Sequence, residues 1–70
     1  MKSLADMLDA ARRELAMRKS TYPKWVASGR MTQANADHET ECMEAIVERI
    51  EMLKLLSEVS EEMKRQESKA

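Results

Sequence analysis

The chain has 70 residues and a formal net charge of −1, with one Gly, one Pro, one Cys, one Trp, one Tyr and no Phe. Leu, Ile and Val number only 11, so few large side chains are available to offset the cost of ordering the chain, and a self-sufficient core is not expected. One cysteine excludes an internal disulfide framework. The Met-Lys-Ser-Leu-Ala-Asp opening lacks a signal-peptide core, and no stretch has the roughly 20 apolar residues of a membrane span, so a cytoplasmic protein with no membrane partner is expected.

With so little Gly and Pro to mark turns, long helices are the natural reading. The first is expected over about 3–28. Ser3 is its N-cap, Asp6 follows in the first turn, and Gly29 is a natural stop. Its apolar positions, Leu4, Leu8, Ala11, Leu15, Tyr22 and Trp25, recur in steps of four and three, with Arg18 occupying a slot on the same seam. Pro23 removes a backbone donor and is expected to bend this helix, or to restart it from Thr21.

Arg30 and Met31 form the connection, and Thr32 is a good N-cap for a second helix over about 33–64. Its apolar face is read as Ala36, Met43, Ile46, Ile50 and Leu53, broadened by Val47, Leu56, Val59 and Met63. The last stretch, 65–70, has no apolar anchor and is expected to fray.

Two helices joined by so short a connection form an antiparallel hairpin, so the fold class is all-α and residues 1–70 make one domain. Facing Ser28 with Gln33 places Trp25 opposite Ala36, Leu15 opposite Ile46 and Leu8 opposite Leu53. Met17, Met52, Leu55, Leu56 and Val59 fall outside that seam. The surplus predicts a homodimer or higher oligomer, with a four-helix bundle as the first expectation.

Charge is divided along the chain. Residues 1–31 carry seven Lys or Arg against three acids, and residues 32–70 carry five against ten. The acids Asp37, Glu41, Glu44, Glu48, Glu51 and Glu58 recur at helical spacing and are read as a solvated face that pairs with the basic first helix, or as an imitation of nucleic-acid phosphates. On the seam itself, Arg18 and Glu39 form the expected structural ion pair, buried and register-setting, with Tyr22 placed to add a hydrogen bond to the same carboxylate.

The least generic segment is Arg18 to Val26, where both aromatic rings sit beside a proline among cations. Arg18, Tyr22, Lys24, Trp25 and Arg30, with Leu55, Leu56 and Val59 of the second helix, are the candidate interaction residues. In the alternative, Arg12, Arg13, Lys19, Lys24 and Arg30 hold phosphate while Trp25 stacks on a base, as in a small nucleotide or single-stranded nucleic-acid module. The plain structural alternative makes Tyr22 and Trp25 core layers near the hairpin tip.

His38-Glu39-Thr40-Glu41-Cys42 has the spacing of a zinc-protease helix with Cys in place of the second His. No third His or Cys exists, so neither a metal nor any other cofactor is expected. Ser3, Ser20, Ser28 and Ser57 have one His between them and no oxyanion turn, so no catalytic residues are assigned and no enzyme is expected.

The stretch Glu14-Leu15-Ala16-Met17-Arg18, then Tyr22-Pro23-Lys24-Trp25-Val26 and Gly29-Arg30-Met31, with Ala36, Glu39, Met43, Ala45 and Ile46 later, resembles small proteins encoded by phages and prophages of proteobacteria. The resemblance covers residues 14–50, about half of the chain. Thr40 departs from it, since an aliphatic residue is usual there. It carries no assigned site residue. It implies an early or accessory viral product in the host cytoplasm that binds a host or phage protein and acts on host machinery, on a defence system or within phage DNA metabolism.

Overall fold

The computed structural model describes residues 1–68. Two helices account for most of them, α1 over Leu4–Ala27 and α2 over Gln33–Ser68, packed against each other as a helical hairpin with no strand among the described residues. The second helix runs about one turn past the end expected near residue 64. Positions 65–68 of the stretch expected to fray are therefore helical, and Lys69 and Ala70 lie outside the described residues.

The ends of the helices are set by local chemistry. The Ser3 hydroxyl accepts from the Asp6 amide at 3.1 Å, and the Thr32 hydroxyl from the Asn35 amide at 3.1 Å, each satisfying an amide that the first turn leaves unpaired. Gly29 ends α1 at φ +79°, which lets the Arg30 amide reach the Trp25 carbonyl at 2.9 Å and the Gly29 amide the Val26 carbonyl at 3.1 Å. That bond pair is a Schellman motif, and it turns the chain back within five residues. The helix passes through Pro23 without restarting, since Pro23 lies only one turn before its end. Having no N–H, Pro23 leaves the Lys19 carbonyl without its helical donor.

Leu8 and Ala11 of α1 pack with Met43 and Val47 of α2, and Leu15 and Ile50 close over this cluster. Ala36 is buried nearer the tip. On α2 the seam therefore reads Ala36, Thr40, Met43, Val47, Ile50 and Lys54, all buried or half-buried, in steps of four and three.

This corrects the register expected from sequence in two places. Val47 rather than Ile46 enters the core, and Lys54 rather than Leu53 follows it; Ile46 and Leu53 are 46% and 54% exposed. At the tip, Val26 is half-buried while Trp25 is 37% exposed, so Trp25 sits at the rim rather than enclosed. The physical reason is the helix repeat. Ile46 and Val47 are adjacent and differ by about 100° around α2, so only one of them can face α1.

The helices differ in length, 24 residues against 36, or about 36 Å against 54 Å at 1.5 Å per residue. Every described side chain from Leu55 to Glu67 is exposed. Positions that would continue the seam become polar there: Ser57, Glu61 and Lys64. The last third of α2 is thus an arm projecting past α1, in a molecule 63 Å long and 19 Å by 17 Å across.

Candidate functional site: the charged seam, the aromatic tip and the apolar arm

Arg18 is the most engaged polar side chain. Its position on the seam, one heptad before Trp25, carries the guanidinium between the helices, where 19% of the side chain stays exposed. Nε donates to Glu14 Oε1 at 3.0 Å, one turn back on α1. Nη1 donates to the backbone carbonyl of Glu39 at 2.8 Å and lies 3.6 Å from Glu39 Oε2. The guanidinium carbon is also 6.0 Å from the Tyr22 ring centroid, at the outer reach of a cation–π contact. The hydrogen bond to Glu14 raises the Arg18 pKa above its already high ordinary value, desolvation lowers it less, and the charges of Tyr22, Glu14 and Glu39 add to the rise.

The structure thus brings Arg18 and Glu39 together, but in a different form from the buried pair expected. Half of the Glu39 side chain faces solvent, and the stronger bond runs to its main chain. Tyr22 contributes its ring face to this cluster. It also packs at 5.6 Å against Trp25, the planes tilted by 31°. A shallow cleft lies beside these groups, lined by Arg18, Tyr22, Pro23, Ala36, Thr40 and Glu44 among others.

The cations of the proposed phosphate site are not gathered on one surface. Arg12 pairs with Glu51 at 3.3 Å and Lys19 approaches Glu44 at 4.0 Å, so both belong to one edge of the hairpin and already face carboxylates. Arg13 and Lys24 share a different side of α1, about 100° away by helix geometry. Arg30 is exposed in the connection, and its amide serves the cap of α1.

The candidate interaction residues fall into two groups. Arg18, Tyr22, Lys24, Trp25 and Arg30 lie at or near the tip. Leu55, Leu56 and Val59 lie toward the far end of α2, about 33–39 Å from its start at 1.5 Å per residue. With Met52 and Met63 the arm residues make a stripe in steps of three and four, and each of the five is about half exposed. The stripe is turned away from the seam. Lys54 and Glu61 continue the α1-facing phase, whereas Met52, Leu56, Val59 and Met63 occupy roughly the opposite side of the helix.

Cys42 Sγ and His38 Nε2 are 3.6 Å apart on successive turns, and both are exposed. No group of three or more His, Cys, Asp or Glu side chains among the described residues is arranged to hold a metal ion. No helix among them is long and apolar enough to cross a membrane.

Sequence reasoning did not name the exposed Met7, and it placed Ile46 and Leu53 in the seam where the structure leaves them exposed. The signal for that exposure was the seven-residue spacing of Glu39, Ile46 and Leu53, which gains meaning only once the seam is known to pass through Val47. No family model matches the chain, and no curated protein or solved structure shows significant similarity to it.

Proposed function

We propose that this chain is a non-enzymatic interaction protein, an antiparallel helical hairpin whose projecting α2 arm docks into an apolar groove of another protein. The observation that carries the reading is the apolar stripe on the far half of α2. Met52, Leu55, Leu56, Val59 and Met63 are exposed on the side of α2 turned away from α1, a stripe that continues onto the projecting end, at the spacing by which an amphipathic helix anchors in a groove. The antiparallel sense is supported by the order of the cross-helix pairs, since Arg12 meets Glu51 while Arg18, later in α1, meets Glu39, earlier in α2. The resemblance over residues 14–50 makes a host or defence protein the proposed partner, bound by a phage accessory product in the host cytoplasm.

The nucleotide or single-stranded nucleic-acid alternative has less support, because Arg12 and Lys19 face carboxylates on one edge while Arg13 and Lys24 lie on another side of α1. The two readings separate in one experiment. The chain is immobilised, host-cell extract is passed over it, and captured protein and nucleic acid are identified for wild type, Leu56→Asp and Lys24→Glu at low and high salt. A protein retained at high salt, lost with Leu56→Asp and kept with Lys24→Glu, is the expected result. Captured nucleic acid that falls away steeply with salt and with Lys24→Glu would replace this reading by the alternative.

A further inference from the structure

Acids are spread along the chain with one long exception. Residues 15–36 contain no Asp or Glu, and they hold Arg18, Lys19, Lys24, Arg30 and both aromatic rings. This stretch is the closed end of the hairpin, comprising the second half of α1, the connection and the first turn of α2. Its cations are of two kinds. Arg18 is held by Glu14 and Glu39, and Lys19 approaches Glu44. Lys24 and Arg30 are exposed and, among the described residues, take part in no ion pair. Trp25 lies between them in the chain. It is the one indole of a molecule short of large apolar groups, yet 37% of it is open to solvent, with the Tyr22 ring 5.6 Å away. The Trp25 carbonyl accepts from the Arg30 amide at 2.9 Å and from the Ser28 hydroxyl at 3.1 Å. The backbone that carries the indole and the guanidinium is therefore fixed before any partner arrives.

We infer that this tip is a second docking surface, and that its partner is an acidic peptide segment of another protein, carrying an apolar side chain among its carboxylates. Charge complementarity names the partner. The Arg30 fork can take a carboxylate in two parallel bonds, and Lys24 offers a second positive point. An indole that is already held presents contact area at little further cost in entropy. The end of a helix accounts for a cation such as Lys24 near it, but not for an open indole beside that cation. Nucleic acid fits less well, because two unpaired cations neutralise about two phosphates against the roughly 6–10 of an effective binder. Leu56 lies about 35 Å from the start of α2 at 1.5 Å per residue, so the tip and the apolar stripe are separate surfaces.

Trp25 fluorescence reports on the tip alone, since the chain has no other Trp. The probe is the end-blocked peptide Asp-Glu-Phe-Glu-Asp, with Lys-Lys-Phe-Lys-Lys and oligothymidylate as comparisons. A saturable change with the acidic peptide, and none with the basic one, is expected. The dissociation constant should rise about tenfold or more for the double variant Lys24→Glu/Arg30→Glu, equivalent to about 1.4 kcal/mol. The milder pair Lys24→Gln/Arg30→Gln removes the charges without reversing them and should weaken binding in the same direction. Leu56→Asp should leave the constant within about twofold, as should Arg13→Glu, a charge reversal about 16 Å up α1. No saturable change by about 1 mM, an equal response to the basic peptide, or an equal loss with Arg13→Glu overturns the inference. Tighter binding of oligothymidylate than of the acidic peptide overturns it in favour of nucleic acid. None of these outcomes touches the reading of the α2 stripe, which fails instead if capture survives Leu56→Asp.

Discussion

Arg18 shows how much one side chain on the seam can fix. Its planar fork serves Glu14 and the Glu39 carbonyl at once, a geometry that an ammonium cannot reproduce. Arg18→Lys is therefore expected to cost about 1 kcal/mol in urea unfolding, because it keeps the charge and loses the second bond. An Arg18→Lys protein as stable as wild type would show that the fork adds nothing beyond charge. Proton linkage has a definite sign here. A cation whose folded pKa is raised contributes in full below its unfolded value and loses that contribution only as pH rises through the folded one. The Arg18 contribution is thus expected to be the same at pH 5 and at pH 9, which comparison of wild type with Arg18→Met at the two values checks. Arg18 was legible from sequence as a seam residue with Glu39 near it. The main-chain acceptor was not, because a carbonyl has no residue type to read.

Among the elements, α1 was more legible than α2, and the reason is the number of apolar stripes each carries. In α1 the steps Leu4, Leu8, Ala11 and Leu15 define one seam, and the structure uses it. In α2, Ile46 sits beside Val47 and Leu53 beside Lys54, so two phases both offer an unbroken set of heptad steps. The seam in use hides two polar members, Thr40 and Lys54, whose aliphatic portions can line it while their polar ends reach water. Gly29 holds φ +79° in open space, where an added methyl group would touch nothing within 4 Å, so Gly29→Ala meets only the left-handed backbone penalty. A loss of about 1 kcal/mol is expected from its thermal melt, with a smaller loss for Gly29→Asn. Pro23→Ala should act in the other direction, restoring a donor to the Lys19 carbonyl and stabilising α1 by about 1 kcal/mol or more; a lower melting temperature would mean that the proline shapes the tip in a way that stability needs.

For the whole molecule, the division of apolar residues among a seam, an edge and an arm predicts three different responses to one kind of substitution. Val47 is 7% exposed inside the cluster formed by Leu8, Ala11 and Met43, so Val47→Ala removes packing within each hairpin. It should cost about 1–2 kcal/mol through lost burial and the cavity left behind, at every protein concentration. Ile46 lies one residue away on the edge, outside that cluster. Ile46→Ala is therefore expected to cost less than Val47→Ala, and any share of its deficit owed to self-association shrinks on dilution, where wild type is monomeric as well. Leu56 is 57% exposed on the side of α2 turned away from α1, so Leu56→Ala should leave stability within about 0.5 kcal/mol at any concentration and show its effect only in partner capture. Thermal melts of the three variants over a dilution series test all three assignments together. Equal, concentration-independent losses at 46 and 47 would return Ile46 to the intramolecular core, and with it the register expected from the sequence.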